Sequence, residues 1–197
     1  MPGFFAEDDS DMKIADFSDG RPKEATLSPR EPDKDPAYLE LMENRKNGNL
    51  DKARRLGAAL ADEAAYAEKS GFLKPSPVRE DYAVLSQCRV LMCFAATVGA
   101  ETCTPNLLTA HTALNVFYDR LKRQSPQLYE EVNEAGSFSF YLLEYRKGGD
   151  VERGIGRAFA MLCGRDGDAV CSELGETLYC RCLHIGRKRA KELAFVN

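Results

Sequence analysis

From about residue 36 onward, apolar side chains recur every three to four positions, in blocks separated by glycine or by a capping residue. That is the period of helices with one buried face. Tyr38, Leu41 and Met42 mark a first helix over 36–47, and Leu50, Ala53, Leu56, Leu60, Ala64 and Ala67 a second over 50–69, closed by Gly71. The third, 77–98, carries Tyr82, Leu85, Cys88, Leu91, Met92, Ala95 and Val98, with Val84, Val90 and Phe94 on its other faces. A helix that is apolar nearly all round is buried nearly all round, so this one is expected at the centre. A fourth, 105–124, shows Leu107, Ala110, Leu114, Phe117 and Leu121, and a fifth, 126–147, shows Leu128, Val132, Ala135, Leu142 and Tyr145. The sixth, 151–163, shows Val151, Ile155, Ala158, Phe159 and Leu162; the seventh, 168–194, shows Val170, Cys171, Leu174, Leu178, Cys182 and Ile185. Strand alternation is never sustained, since Phe138-Ser139-Phe140 lies inside a longer helical period. The predicted fold class is all-α, with about seven helices.

Local chemistry sets the predicted starts. Asp35-Pro36, Ser76-Pro77, Thr104-Pro105 and Ser125-Pro126 each pair a side chain able to accept first-turn amides with a proline. Proline suits the next position because its missing N–H had no partner there. Asn49, Asp150 and Asp166 or Asp168 are expected to cap without proline. Short glycine turns at Gly48, Gly99 to Thr104 and Gly148-Gly149 make consecutive helices antiparallel, giving stacked hairpins, an α-α superhelix with a closing long helix.

Two of those joints are nearly the same sentence. Arg45-Lys46-Asn47-Gly48-Asn49-Leu50-Asp51-Lys52-Ala53 returns 101 positions later as Arg146-Lys147-Gly148-Gly149-Asp150-Val151-Glu152-Arg153-Gly154. Each has a basic pair, a glycine turn, a cap, an aliphatic residue and a small residue where two backbones approach. The first, followed by Leu56 and Leu60, and the second, followed by Phe159, resemble the tetratricopeptide repeat. That resemblance implies a right-handed stack of helix pairs whose concave face binds a peptide or another protein, with no catalytic residues. The middle joint, Gly99-Ala100-Glu101-Thr102-Cys103-Thr104, departs from the pattern, and the helix starts give a period of about 50 residues instead of 34.

Charge divides the chain. Residues 1–35 hold ten acids against five bases and four prolines, too little apolar surface to offset the entropy of ordering, so a disordered or loosely docked tail is expected. Phe4, Phe5, Ile14 and Phe17 could anchor it. Residues 36–197 then carry +1 of the chain's total of −4 and read as a single helical domain. So neutral a body argues against a general nucleic-acid binder. No wholly apolar run approaches the roughly 20 residues of a membrane span, and the first residues lack the pattern of a signal peptide. With seven cysteines, an odd number, reduced thiols in a cytoplasmic protein are the simplest expectation.

Chemistry-bearing candidates are few. Cys180, Cys182 and His184 form Cys-x-Cys-x-His, with Cys180 and His184 on one helical face, a spacing that could offer two metal ligands; no further Cys/His pair stands nearby. His111 could serve as a base, or pair with a cysteine brought close by folding; a histidine bonded at a core edge is the plainer expectation. No Gly-x-Ser-x-Gly or His-Glu-x-x-His motif is present, and Gly154-Ile155-Gly156 lacks the strand and third glycine of a phosphate loop. Arg187-Lys188-Arg189-Ala190-Lys191 complements a helix C-terminus. Arg45, Arg89, Tyr141 and Tyr145 lie on the first helices of hairpins and are of the type that forms binding hot spots. The expectation is a protein- or peptide-binding module without catalysis, cofactor or membrane association, and able to self-associate. Two alternatives stand beside it: a helical enzyme or small-ligand sensor with its site between helices three to five around His111, and a regulator using the basic helix end on nucleic acid.

Overall fold

The computed structural model describes residues 35–70, 81–134 and 136–196, and every regular element among them is helical. These are α1 (Pro36–Lys46), α2 (Asn49–Lys69), α3 (Tyr82–Cys103), α4 (Leu107–Gln124), α5 (Pro126–Glu134), α6 (Ser137–Lys147), α7 (Val151–Leu162) and α8 (Ala169–Leu193). The expected tail over 1–34 and the start at Ser76-Pro77 lie outside the described residues.

Where a cap is local, the pattern of the sequence is realised. Asp35 accepts the Ala37 amide at 3.0 Å, Asp150 that of Arg153 at 3.2 Å, and Asp168 those of Val170 and Cys171 at 2.9 and 3.1 Å. Four expectations need correction. The turn expected to open at Gly99 does not: α3 runs on to Cys103, with Gly99 buried inside it. Thr104 does not start α4: its hydroxyl donates to Ala100 O at the end of α3, and Asn106 caps α4 in a reciprocal box with Thr109. Asn49 does not cap α2 either; Gly48 takes the cap position at φ +75°, and Asn47 Oδ1 accepts the Asn49 amide hydrogen. The predicted fifth helix is two, α5 and α6, so the described residues hold eight helices instead of seven. The buried positions explain the break. Leu128 and Val132 are four apart, as are Ser137 and Tyr141, but the step between the pairs is five. One straight helix would turn the second pair away from the core; the break at Gly136 resets the face.

The central helix is α3. It packs against α2 and against α4 through α8, and twelve of its residues are buried. By length and composition α3 would suit a membrane span, and its place amid the other helices accounts for that composition. Phe94, almost fully buried, stands at the middle of an aromatic cluster with Phe138, Tyr141, Tyr145 and Tyr179, ring centroids 5.2 to 6.2 Å away. Apart from α5 and α6, sequential helices pack on each other, as stacked antiparallel hairpins should; α2 also lies along α4, and α8 returns across α3 and α2. Small residues set the closest approaches: Gly57 of α2 lies against the Ala113 backbone of α4, Gly156 and Gly175 join α7 to α8, and Gly99 of α3 faces Gly186 of α8.

Candidate functional site

The four residues expected to line a binding face are not brought together. Tyr141 is 0 % exposed, a core residue whose hydroxyl donates to Gln87 Oε1 at 3.0 Å. Tyr145 is half-buried beside Phe94. Arg89 is mostly buried between Glu68 and Glu131, 3.1 and 3.0 Å away, tying α2, α3 and α5 together. Only Arg45 is exposed, beside Leu41, Met42 and Leu50. Tyrosine and arginine are amphipathic, so periodicity alone does not separate an outward hot spot from an inward anchor.

The thiols are buried more than they are arranged for chemistry. Burial pushes Cys88 and Cys182 up to about 12 and raises Cys93, Cys163, Cys171 and Cys180 as well. Thiols so shifted stay protonated near neutral pH, the inert form. On α8, His184 is exposed while Cys180 and Cys182 are half-buried. Among the described residues no group of three His, Cys, Asp or Glu side chains is placed to hold a metal ion. His111 is exposed on α4. In the basic run, Arg189 pairs with Glu63 and Glu192, and Arg187, Lys188 and Lys191 are exposed.

Two features whose roles the sequence pattern did not disclose carry the clearest geometry. The first is an open, largely apolar groove of about 190 Å³ between α2, α3 and α8. Ala64 and Ala67 of α2, Met92 and Ala96 of α3, and Cys182 and Ile185 of α8 line it; Glu63, Tyr66 and Arg181 complete its wall. Tyr66 is 68 % exposed there. The groove exists because α2 and α3 present alanines where larger residues would close the gap. The usable signal was that alanine stripe, which reads equally well as close packing.

The second feature is the α1–α2 joint. The Asn49 carboxamide, in a residue 1 % exposed, donates to Val196 O at 2.7 Å and accepts from Val196 N at 3.0 Å. Asn44 Oδ1 accepts from both Asn49 and Asn106 at 3.3 Å, and Asn44 donates to Glu40 O at 2.9 Å. Lys52 Nζ donates to Ala194 O at 2.8 Å. These asparagines read as ordinary helix-end residues in sequence, because the segment that they hold lies 147 positions away.

Compared with known protein families, curated proteins and solved structures, the chain matches none.

Proposed function

We propose that this chain is a non-catalytic binding module that receives an aromatic or large aliphatic side chain of a partner protein in the groove between α2, α3 and α8. The observation that carries the reading is the groove itself: apolar walls, an exposed tyrosine at the edge and polar residues beside it. Its volume, about 190 Å³, is below the range of roughly 300–1,000 Å³ usual for small-molecule pockets and suits a side-chain anchor better than a cofactor. Binding hot spots are commonly such buried aromatic anchors with a polar surround. The raised thiols and the exposed, unenclosed His111 favour binding over catalysis. The resemblance of the two glycine joints to tetratricopeptide hairpins points the same way, although of the three helices that line the groove only α3 is the first of a hairpin.

The test is to pan a random-peptide display library against the chain. Enriched peptides should carry an aromatic or large aliphatic residue, shift the methyl signals of Met92 and Ile185, and bind on the order of tenfold more weakly to Tyr66→Ala. Failure to enrich any peptide, or binding that leaves those methyls unmoved, would count against the reading.

A further inference from the structure

Capping α2 does not require the Asn49 side chain, because Asn47 Oδ1 already takes the Asn49 amide hydrogen. The carboxamide is therefore available for another task, and both its donor and its acceptor go to the backbone of one residue, Val196. We propose that the α1–α2 joint is a binding site for a peptide segment, read through its backbone, and that residues 194–196 occupy it as an exchangeable ligand in cis. The occupant in trans is a partner segment of the same chemistry, an aromatic residue followed by a residue with a free backbone N–H. This site is separate from the apolar groove, and either can fail without the other.

Three observations support it. A carboxamide offers one donor side and one acceptor side in a plane, the complement of one residue's backbone N–H and C=O, and this pairing is blind to side-chain identity. Accordingly, the Val196 side chain is half exposed, while Phe195 before it packs against the core as the anchor. The receptor is also built in advance. Asn44, itself 3 % exposed, fixes the Asn49 carboxamide from behind and is held in turn by Asn106 and by Glu40 O. If the segment left, Asn49 Oδ1 would exchange the Val196 N–H for water. Finally, the cis segment is attached through a strained hinge. Ala194, at φ +48°, is the sole non-glycine residue with positive φ among those described, and its Cβ makes that conformation unfavourable. Ala194 caps α8 in this conformation, with its N–H on Lys191 O, and the turn carries residues 195–196 back to the joint at a conformational cost that a partner segment does not have to bear.

The experiment opens the site in the full-length chain in two ways. Val196→Pro removes the N–H that Asn49 accepts, and Phe195→Ser withdraws the anchor while leaving the backbone intact. A fluorescein-labelled peptide spelling residues 191–196 is then titrated by anisotropy, with circular dichroism to show that each variant is folded. Either opened chain should bind the peptide saturably and more tightly than the unaltered chain, whose own segment competes at high local concentration. N-methylation of the peptide's valine should weaken binding on the order of tenfold, since it deletes one hydrogen bond and crowds the other. The side-chain amide signals of Asn49 should shift while the Met92 and Ile185 methyls stay in place. If neither folded variant binds, or if the N-methylated peptide binds as well as the plain one, the joint is a structural fastening and the proposal is wrong.

Discussion

A missing methyl group decides how closely α2 and α4 approach. A Cβ on Gly57 would collide with the Ala113 carbonyl oxygen and lie 2.9 Å from its carbon, and backbone cannot swing aside as a side-chain tip can. Gly99, expected at a turn, also lies inside a helix, but a Cβ there would meet Gly186 Cα and Leu183 Cδ2 at an ordinary 3.9 Å. The two substitutions should therefore differ in sign. Gly57→Ala overpacks the crossing and is expected to lower stability by about 1–3 kcal/mol. Gly99→Ala gains helix propensity without a clash and should raise stability by up to about 1 kcal/mol. Urea unfolding of both variants beside the parent checks this: equal shifts of the midpoint in one direction would contradict the geometry. Sequence alone has no means of ranking the two, because the ranking depends on a neighbour 56 positions away in one case and 87 in the other.

Among elements, charged groups do the joining, and here the sequence was legible only in part. Arg89 holds two carboxylates on two other helices, and Glu68 Oε2, Glu131 Oε1 and Arg89 Nε are buried there without a hydrogen bond. Removing the cation alone leaves two like charges facing each other in a poorly solvated place, so Arg89→Met should cost about 3 kcal/mol. Neutralising the set, as Glu68→Gln with Arg89→Met and Glu131→Gln, should cost less than Arg89→Met alone. Chemical denaturation of the two variants decides the order, and a triple variant less stable than the single one would show that the ion set is a net stabiliser. A second junction responds to acid. Hydrogen bonding from Arg165 holds the Asp81 carboxyl below the usual carboxylate range, and Asp81 also accepts the Ala83 and Val84 amides at the start of α3. A carboxylate whose folded value is depressed stabilises the fold above its unfolded value, about pH 4, and that contribution fades as pH falls through the folded value. Hydrogen exchange at Ala83 and Val84 should thus lose protection below about pH 4 at constant core protection; Asp81→Asn should flatten that response. The caps at Asp35, Asp150 and Asp168 were readable beforehand because donor and acceptor are two or three residues apart. The break at Gly136 was not, since it is settled by what packs against the helix, nor was the role of Asn49, whose partner lies 147 positions away. Thr104 and Asn106 both bond locally, and the pattern does not choose between them as the cap.

For the whole molecule, helix-period apolar runs predicted an all-α fold around the third helix because periodicity records which face is buried. They do not record which buried faces leave space, so the groove and the asparagine joint emerged only from the packing. The cysteines offer a global test of that packing. Cys88, Cys93, Cys163 and Cys171 are buried contributors to one connected core that spans α2 through α8, and burial raises each thiol above its ordinary value. At pH 8 a thiol raised to about 12, as Cys88 is, has on the order of one thiolate in 10⁴, so its alkylation in the folded state is slow. Cys103, partly exposed near the end of α3, should be alkylated first by iodoacetamide. The four core thiols should then react together, at a rate that rises with urea in parallel with loss of helical circular dichroism, because reaching any of them requires opening the shared core. Mass spectrometry of peptides from a timed reaction would read the order. Staggered reaction of Cys88 and Cys93 ahead of Cys163 and Cys171, before any helix is lost, would mean that the hairpins open separately and that α8 does not fasten the bundle across α3.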